Sequence, residues 1–146
     1  MRIRLIGAAA VVLLLGACAS VPPSARDERV VQLIDLFNTV AAENLGDNLG
    51  TPFLFEDEVL SAPADVVAVL ARAQEAGLVI APIVVARSDD PTAPADARFD
   101  VAVFYDRLPD DATTIVAESN AGDVTLIVGG EAGGLPRLLG LKRGRP

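Results

Sequence analysis

The sequence predicts an α+β fold, in which two N-terminal helices pack on a curved, mostly antiparallel sheet of four to five strands. Two segments of the first half, near residues 24–45 and 62–76, repeat apolar residues at helical spacing. After Gly77 the apolar residues become rich in Val and Ile, and several alternate with polar residues as in a half-buried strand. Helices followed by a run of strands are typical of α+β domains.

The first helix is predicted to begin at Ser24 as its N-cap, with Asp27 three residues later as the capping-box partner. Gly46 is its expected C-terminal stop. Its apolar stripe comprises Val30, Leu33, Ile34, Phe37, Val40, Ala41 and Leu45.

The second helix is expected from Ala62 to Ala76. Ser61 is its predicted cap, and Pro63 lies in the first turn, where proline is tolerated. Between the helices, residues 47–52 have the composition of a turn. They are followed by the short apolar segment Phe53-Leu54-Phe55 and by the acidic run 56–58.

The first long strand is predicted over 78–86, where Pro82 indicates an edge or a bulge. Residues 88–97 are expected to form a loop. In the next segment Phe99, Val101, Val103 and Tyr105 alternate with other residues, which predicts a half-buried strand over 99–106.

The last part of the chain is predicted to be three strands after a turn at 108–111. Strands near 113–118 and 124–128 form a hairpin through residues 120–123. A final strand near 135–142 follows the glycine-rich segment 129–134, which lacks the Lys-Ser/Thr of a phosphate-binding loop and is interpreted as a flexible turn.

The amino terminus has the three parts of an export signal. Arg2 and Arg4 precede an uncharged run from Leu5 to Leu15, and small residues follow. This run is shorter than the roughly 20 residues that a membrane-spanning helix needs. It is therefore interpreted as a signal peptide.

Leu15-Gly16-Ala17-Cys18 resembles the lipobox of bacterial lipoproteins. The resemblance implies cleavage after Ala17, diacylglyceryl and acyl chains on Cys18, and attachment to a membrane through those chains. It divides the chain into a signal peptide (1–17), a lipid-anchored tether (18–23) and one α+β domain (24–143). Because Ala19 follows the Cys in place of Asp, the resemblance implies the outer membrane, facing the periplasm.

Two other interpretations of Cys18 remain open. Ala17-Cys18-Ala19 also satisfies the rule for ordinary signal peptidase, which would cut after Ala19 and remove the Cys. Alternatively, Cys18 is a small apolar residue inside a buried helix.

Composition excludes several kinds of chemistry. The chain has no His and one Cys, so it has no Ser-His-Asp triad, no imidazole base and no His-ligated metal site. Its formal net charge of −8 makes nucleic acid an unsuitable partner. The acidic runs lack the spacing of a calcium loop and are interpreted as solvated turns. The basic segment 137–146 is interpreted as a frayed end, with contact to anionic lipid or an acidic partner as the alternative.

The element order, and most of all the segment TPFLFEDEVLSAPADVVAVLA at 51–71, resembles the nuclear transport factor 2-like group, in which a curved sheet wraps helices into a cone. That resemblance places a pocket inside the cone, for which Tyr105, Phe37, Val101 and Val103 are the candidates. Ketosteroid isomerase, in the same group, uses an Asp base with a Tyr and a protonated Asp. Here Tyr105 offers the hydroxyl, but the base is missing. Glu118 could turn inward, but it would need a partner. The alternative is that Tyr105 is an ordinary core residue with its hydroxyl at the rim.

These observations predict a lipid-anchored, non-catalytic envelope protein that binds a protein partner or a small apolar ligand, without metal or cofactor. One alternative is a small-pocket enzyme of the isomerase or lyase type that uses Tyr105 and one carboxylate. Another is a structural accessory subunit of an envelope complex.

Overall fold

Residues 25–146 are described by a computed structural model. Ala17, Cys18 and Ser24, with the cleavage, lipidation and capping predictions that rest on them, lie outside the described residues. The helices are α1 (Ala25–Thr39), α2 (Pro63–Glu75) and α3 (Phe99–Asp106), and the strands are β1 (Leu49–Phe55), β2 (Glu58–Leu60), β3 (Ile80–Ser88), β4 (Thr113–Ser119), β5 (Gly122–Ala132) and β6 (Leu135–Arg143). None of the helices within 25–146 is long and apolar enough to cross a membrane.

The strands form one six-stranded mixed sheet in the order β2-β1-β6-β5-β4-β3. All neighbouring strands are antiparallel except β1 and β6, which are parallel. The α+β prediction is therefore confirmed. Its details differ from the structure, which has three α-helices and six strands within residues 25–146, with a hairpin between the first two of these helices.

Helices α1 and α2 pack on one face of the sheet, where they form the main core with alternate strand residues. The apolar stripe of α1 is buried at Val30, Leu33, Ile34 and Phe37, as its spacing predicts. The helix ends at Thr39, before the predicted stop at Gly46, and two short 3₁₀ helices (Ala42–Asn44 and Gly46–Asn48) follow. Leu45 is still buried in the same core, but Ala41 is exposed.

The side chain of Gln74 explains where α1 ends. Its amide nitrogen donates to the carbonyls of Phe37 and Val40 at 2.7 and 2.9 Å, and its oxygen accepts from the backbone N–H of Ala42 at 2.9 Å. Carbonyls lose their partners at a helix C-terminus, and the N–H of Ala42 lacks one because Ala42 begins the next 3₁₀ helix. A residue of α2 thus completes the end of α1.

The segment between α1 and α2 differs from the prediction. Strand β1 begins at Leu49, inside the segment predicted to be a turn, and β2 contains Glu58 from the acidic run. The turn of this hairpin is Glu56-Asp57, because Phe55 pairs with Glu58. Only these two acids therefore occupy the predicted solvated turn.

Helix α2 follows its prediction closely, with Pro63 at its start and Gly77 just beyond its end. Its N-cap, however, is Ala62, whose side chain makes no capping bond, so the predicted cap at Ser61 is wrong. Strand β3 is an edge strand whose pairing with β4 is interrupted twice, as Pro82 predicts.

The prediction of a strand over 99–106 is wrong, because these residues form helix α3 on the face of the sheet opposite α1 and α2. Val101 and Phe104 are buried there against Leu54 and Ile127. Phe99, which the strand prediction assigns to the buried face, is 84% exposed.

The predicted hairpin between β4 and β5 is present, and a second hairpin joins β5 to β6. Asn120 and Ala121 form the turn between β4 and β5, since Ser119 pairs with Gly122. Gly133 and Gly134 form the next turn, with φ of 62° and 79°, a conformation that favours glycine. The rest of the glycine-rich segment continues β5 through Ala132.

The basic C-terminal segment is not a frayed end, because β6 occupies most of it and three of its four cations are paired. Lys142 contacts Asp57, Arg143 contacts Glu56, and Arg145 contacts Asp123. The pairs hold β6 and the residues after it to the tip of the β1–β2 hairpin and to the start of β5.

Candidate functional site

The face of the sheet opposite α1 carries a row of side chains that runs across five strands. Leu54 of β1 pairs with Gly140 of β6, which pairs with Ile127 of β5. Ile127 in turn pairs with Thr114 of β4, and Thr114 pairs with Ser88 of β3. We call these five residues the cross-strand row.

Gly140 is the one position of the row without a side chain, and its neighbours need that space. A Cβ at Gly140 would lie 3.2 Å from Ile127 Cδ1 and 3.3 Å from Leu54 Cβ. Leu54 and Ile127 therefore approach each other across β6, and the row is apolar at its centre.

A cavity of about 320 Å³ lies over this row. We call it the sheet–loop cavity, because the loop after β3 covers it opposite the sheet. Besides four members of the row, its lining comprises Asp90, Pro91, Thr92, Ala93, Pro94, Tyr105, Thr125, Leu141, Lys142 and Pro146.

The covering loop is attached loosely. Within the described chain, residues 90–97 make one backbone hydrogen bond, which is local and runs from the N–H of Ala97 to the carbonyl of Pro94 at 3.0 Å. Ala97 also packs against the apolar cluster around α3. Loops with few contacts to the rest of a protein are those that open most easily.

Two polar groups lie at the β1–β6 end of the cavity. Tyr105 is half-buried on α3, and its ring packs edge-on against Phe104 with centroids 5.5 Å apart. Burial raises the pKa of the Tyr105 hydroxyl, while the charge of Lys142 lowers it and that of Asp57 raises it. The phenol therefore stays neutral at physiological pH and can donate a hydrogen bond.

Lys142 is the only cationic side chain that lines the cavity among the described residues. Its Nζ donates to Asp57 at 2.9 Å, and this hydrogen bond raises the pKa of the ammonium group. Asp57 itself is 77% exposed on the outer side. Because an ammonium group has three N–H donors, the bond to Asp57 leaves donors available.

Hydroxyl groups provide the remaining polarity. Thr125 is already engaged, since its Oγ1 donates to the carbonyl of Gly144 at 2.6 Å. Ser88 and Thr114 lie at the β3–β4 end, close to Asp90. Asp90 is the one acidic side chain among the described residues that line this cavity.

The structure separates the four candidate pocket residues. Phe37 is buried in the main core with α1, on the opposite face of the sheet from Tyr105. Val101 lies on α3 and is buried against the sheet, whereas Val103, also on α3, borders a more open groove with Phe99. Of the four, only Tyr105 lines the sheet–loop cavity. Glu118 is exposed on β4 and does not turn inward.

Sequence reasoning misses Lys142, the cross-strand row and the covering loop as parts of one site. It assigns Lys142 to a basic tail and residues 88–97 only to a loop. Pairing register determines the row, and a single sequence specifies register poorly before the strand order is known.

A second, smaller cavity of about 120 Å³ is lined by Arg26, Arg29 and Arg87 beside the start of α1. Arg87 donates to Asp27 at 2.8 Å and to Asp89 at 2.7 Å. Arg26 and Arg29 lie 3.7 and 3.6 Å from Asp89 and Glu131. Each of the three arginines is paired with an acidic side chain. The cluster is therefore an ion-pair network that joins α1 to the sheet.

Residues 25–146 contain no group of three His, Cys, Asp or Glu side chains that is placed to hold a metal ion.

Comparison of the chain with protein-family models, with curated proteins and with solved structures found no match. Function is therefore inferred from the geometry of the sheet–loop cavity.

Proposed function

We propose that this chain is a lipid-anchored protein of the bacterial outer membrane, facing the periplasm, that binds a small apolar ligand in the sheet–loop cavity without transforming it. The cavity is the single observation that carries the ligand-binding part of the proposal. The anchor is the acylated Cys18, with residues 19–23 as the tether.

The size and lining of the cavity support ligand binding. About 320 Å³ lies at the lower end of the range of small-molecule sites. Such sites combine apolar walls with a few placed polar groups. Leu54 and Ile127 on the sheet and Pro91 in the loop provide apolar surface, and Tyr105 and Lys142 provide polar groups at one end.

The amino-terminal sequence supports the anchor. The charged start, the short apolar run and the four residues ending at Cys18 occur in the order of a lipoprotein signal. Two acyl chains are enough for stable attachment to a bilayer. The proposed likeness to the nuclear transport factor 2-like group is supported by segment 51–71, where a strand hairpin leads into a helix.

Native mass spectrometry of the protein, extracted gently from its own envelope, tests the proposal. We expect an acyl mass on Cys18 and a retained small molecule that is lost on denaturation. An empty cavity with a stoichiometric protein companion would overturn the proposal and favour an accessory subunit. An unmodified Cys18 would refute the anchor.

A second candidate is a small-pocket isomerase or lyase, since Tyr105 and Asp90 line the same cavity. A phenol and a carboxylate can each serve in general acid–base catalysis, although the two groups line opposite ends of the cavity. Turnover of candidate substrates by the wild type and by Tyr105→Phe separates the two functions. An enzyme would lose turnover in the variant, whereas a binding protein has none in either form.

A further inference from the structure

We infer that the ligand of the sheet–loop cavity is a small amphiphile with a single anionic head group, which lies over the sheet with its head at Tyr105 and Lys142. This inference rests on the proposed function and specifies the class of ligand. It follows from the volume of the cavity, the distribution of polar groups in its lining and the hydrogen bonding of Lys142.

The cavity floor spans several strands of the sheet. The cross-strand row extends from Leu54 on β1 to Ser88 on β3, across four strand spacings. At about 4.8 Å for each spacing, the row is about 19 Å long. Thr125 and Lys142, a register pair of the neighbouring row, also line the cavity, so its floor is wider than one row.

The volume limits the size of the ligand. A water molecule occupies about 30 Å³ of liquid, so the cavity has room for about ten or eleven non-hydrogen atoms of similar size. An eight-carbon carboxylate has this number of atoms. The covering loop at Pro91–Pro94 gives an extended chain a route of entry, because packing rather than backbone hydrogen bonds holds the loop to the sheet.

The two ends of the cavity differ in charge. Lys142 and the Tyr105 hydroxyl, both hydrogen-bond donors, lie at the β1–β6 end. Asp90 lies at the β3 end, beside Ser88. An anionic group is therefore attracted at the first end and repelled at the second, which fixes the orientation of the ligand and disfavours an acid at both ends.

Asp57 competes with the head group of the ligand for the ammonium group of Lys142. It contacts Nζ at 2.9 Å but is 77% exposed, so water stabilises it whether or not the contact is kept. A ligand carboxylate that enters the cavity meets the same ammonium group in a less hydrated place. Removal of the charge of Asp57 should therefore strengthen binding of an anionic head.

Titration calorimetry of the purified full-length protein with octanoate, octanol and octylamine tests the inference. We expect octanoate to bind about tenfold or more tightly than octanol, which is the usual effect of a hydrogen bond to a charged group. Octylamine should bind more weakly than octanol. Between hexanoate and octanoate the affinity should rise about fourfold for each CH₂, and it should level off once the cavity is full.

Three variants locate the head group. Lys142→Met keeps an apolar stem, so it should weaken octanoate about tenfold while octanol is unchanged. Asp57→Asn should strengthen octanoate severalfold. Arg143→Met, the matched control, removes a neighbouring cation that is 77% exposed and does not line the cavity, and it should leave both affinities unchanged.

The outcomes distinguish the inference from the proposed function. If octanol binds and octanoate binds no better, or if Lys142→Met weakens both equally, the anionic-head inference is wrong and the apolar pocket remains. Preferred binding of octylamine would likewise overturn it. If none of the three probes binds, both the inference and the proposed cavity function fail.

Discussion

Asn38 of α1 makes a two-way amide pair with the backbone of Ile80, the first residue of β3. Its Nδ2 donates to the Ile80 carbonyl at 2.7 Å, and its Oδ1 accepts from the Ile80 N–H at 3.0 Å. The side chain therefore satisfies the edge strand at the point where pairing with β4 is interrupted. It also fixes the position of α1 on the sheet.

Asn38→Ala should lower the free energy of unfolding by about 1–3 kcal/mol, because the two backbone groups of Ile80 lose partners in a part-buried place. Urea denaturation followed by far-UV circular dichroism measures this change in the free energy of unfolding. Asn44→Ala, at an exposed position of the first 3₁₀ helix, is the matched control and should stay within about 0.5 kcal/mol. Equal stability of the two variants would show that the amide pair is unimportant.

Gln74→Ala should cost about 2–4 kcal/mol, since three backbone groups at the end of α1 lose hydrogen bonds. Gln74→Glu should also destabilise the protein, because a carboxylate retains the acceptor for Ala42 but cannot donate to the carbonyls of Phe37 and Val40. Gln32→Ala, on the exposed side of α1, is the control. A Gln74→Glu variant as stable as wild type would rule out the capping role.

Tyr105 is the only Tyr and the chain has no Trp, so absorbance near 295 nm reports its ionisation directly. We expect a midpoint above the ordinary pKa of 10.0 because the ring is half-buried. Lys142→Met should raise that pKa further, and Asp57→Asn should lower it. A raised pKa stabilises the folded protein below pH 10, and this contribution is lost as the pH rises through the folded-state value.

The reverse order of the two variants, with Lys142→Met lowering the Tyr105 midpoint, would contradict the placement of these charges. Tyr105→Phe provides the baseline, since it should abolish the absorbance change.

Arg87 joins Asp27 on α1 to Asp89 beyond β3, and its hydrogen bond holds the pKa of Asp89 below the ordinary value of 3.8. A lowered carboxyl pKa stabilises the fold above about pH 4 and ceases to do so as the pH falls through the folded-state value. Arg87→Met should therefore be less stable than wild type at neutral pH, with a difference that shrinks in acid.

Carbon-detected NMR titration measures the carboxyl of Asp89 directly. In Arg87→Met its pKa should return towards 3.8. Arg72→Met, which removes an exposed cation from α2, is the control and should leave the Asp89 titration unchanged. An undisturbed Asp89 in the Arg87 variant would mean that the pair contributes nothing in solution.

Cys18→Ser should abolish acylation and the cleavage after Ala17 that depends on it, because a hydroxyl does not replace the thiolate as a nucleophile. Intact-mass analysis and detergent phase partitioning of cell extracts measure the two effects. Ser20→Ala is the matched control, because it leaves the four lipobox residues intact and should be processed normally. A Cys18→Ser variant that is still processed and still partitions with membranes would refute the lipoprotein interpretation.

Sequence patterns locate the elements whose period is unambiguous, such as α2 and the β4–β5 hairpin. They fail at α3 because residues 99–106 satisfy two periods. Alternate residues from 99 to 105 fit a strand, but Val101, Phe104, Tyr105 and Leu108, which contact the apolar cluster, follow helical spacing. Packing of Val101 and Phe104 on Leu54 and Ile127 stabilises the helix, although the β-branched residues of this segment favour a strand.

The candidate site is accessible from sequence only in part. The sequence identifies Tyr105 as the hydroxyl of a pocket, yet Phe37, chosen with it, lies across the sheet. The error follows from the α3 assignment, since a strand at 99–106 would have brought both residues towards the same helices. Lys142 can be found only once β6 is known to lie between β1 and β5.

The parallel pairing of β1 with β6 joins residues 49–55 to residues 135–143, which are far apart in the described chain. Until the last strand has been synthesised, the β1–β2 hairpin has no neighbour in the sheet and the main core lacks one wall. Contacts so distant in sequence form slowly. The β1–β2 hairpin therefore joins the sheet only after residues 135–143 are available to pair with it, so this edge of the sheet depends on the contacts that are most distant in sequence.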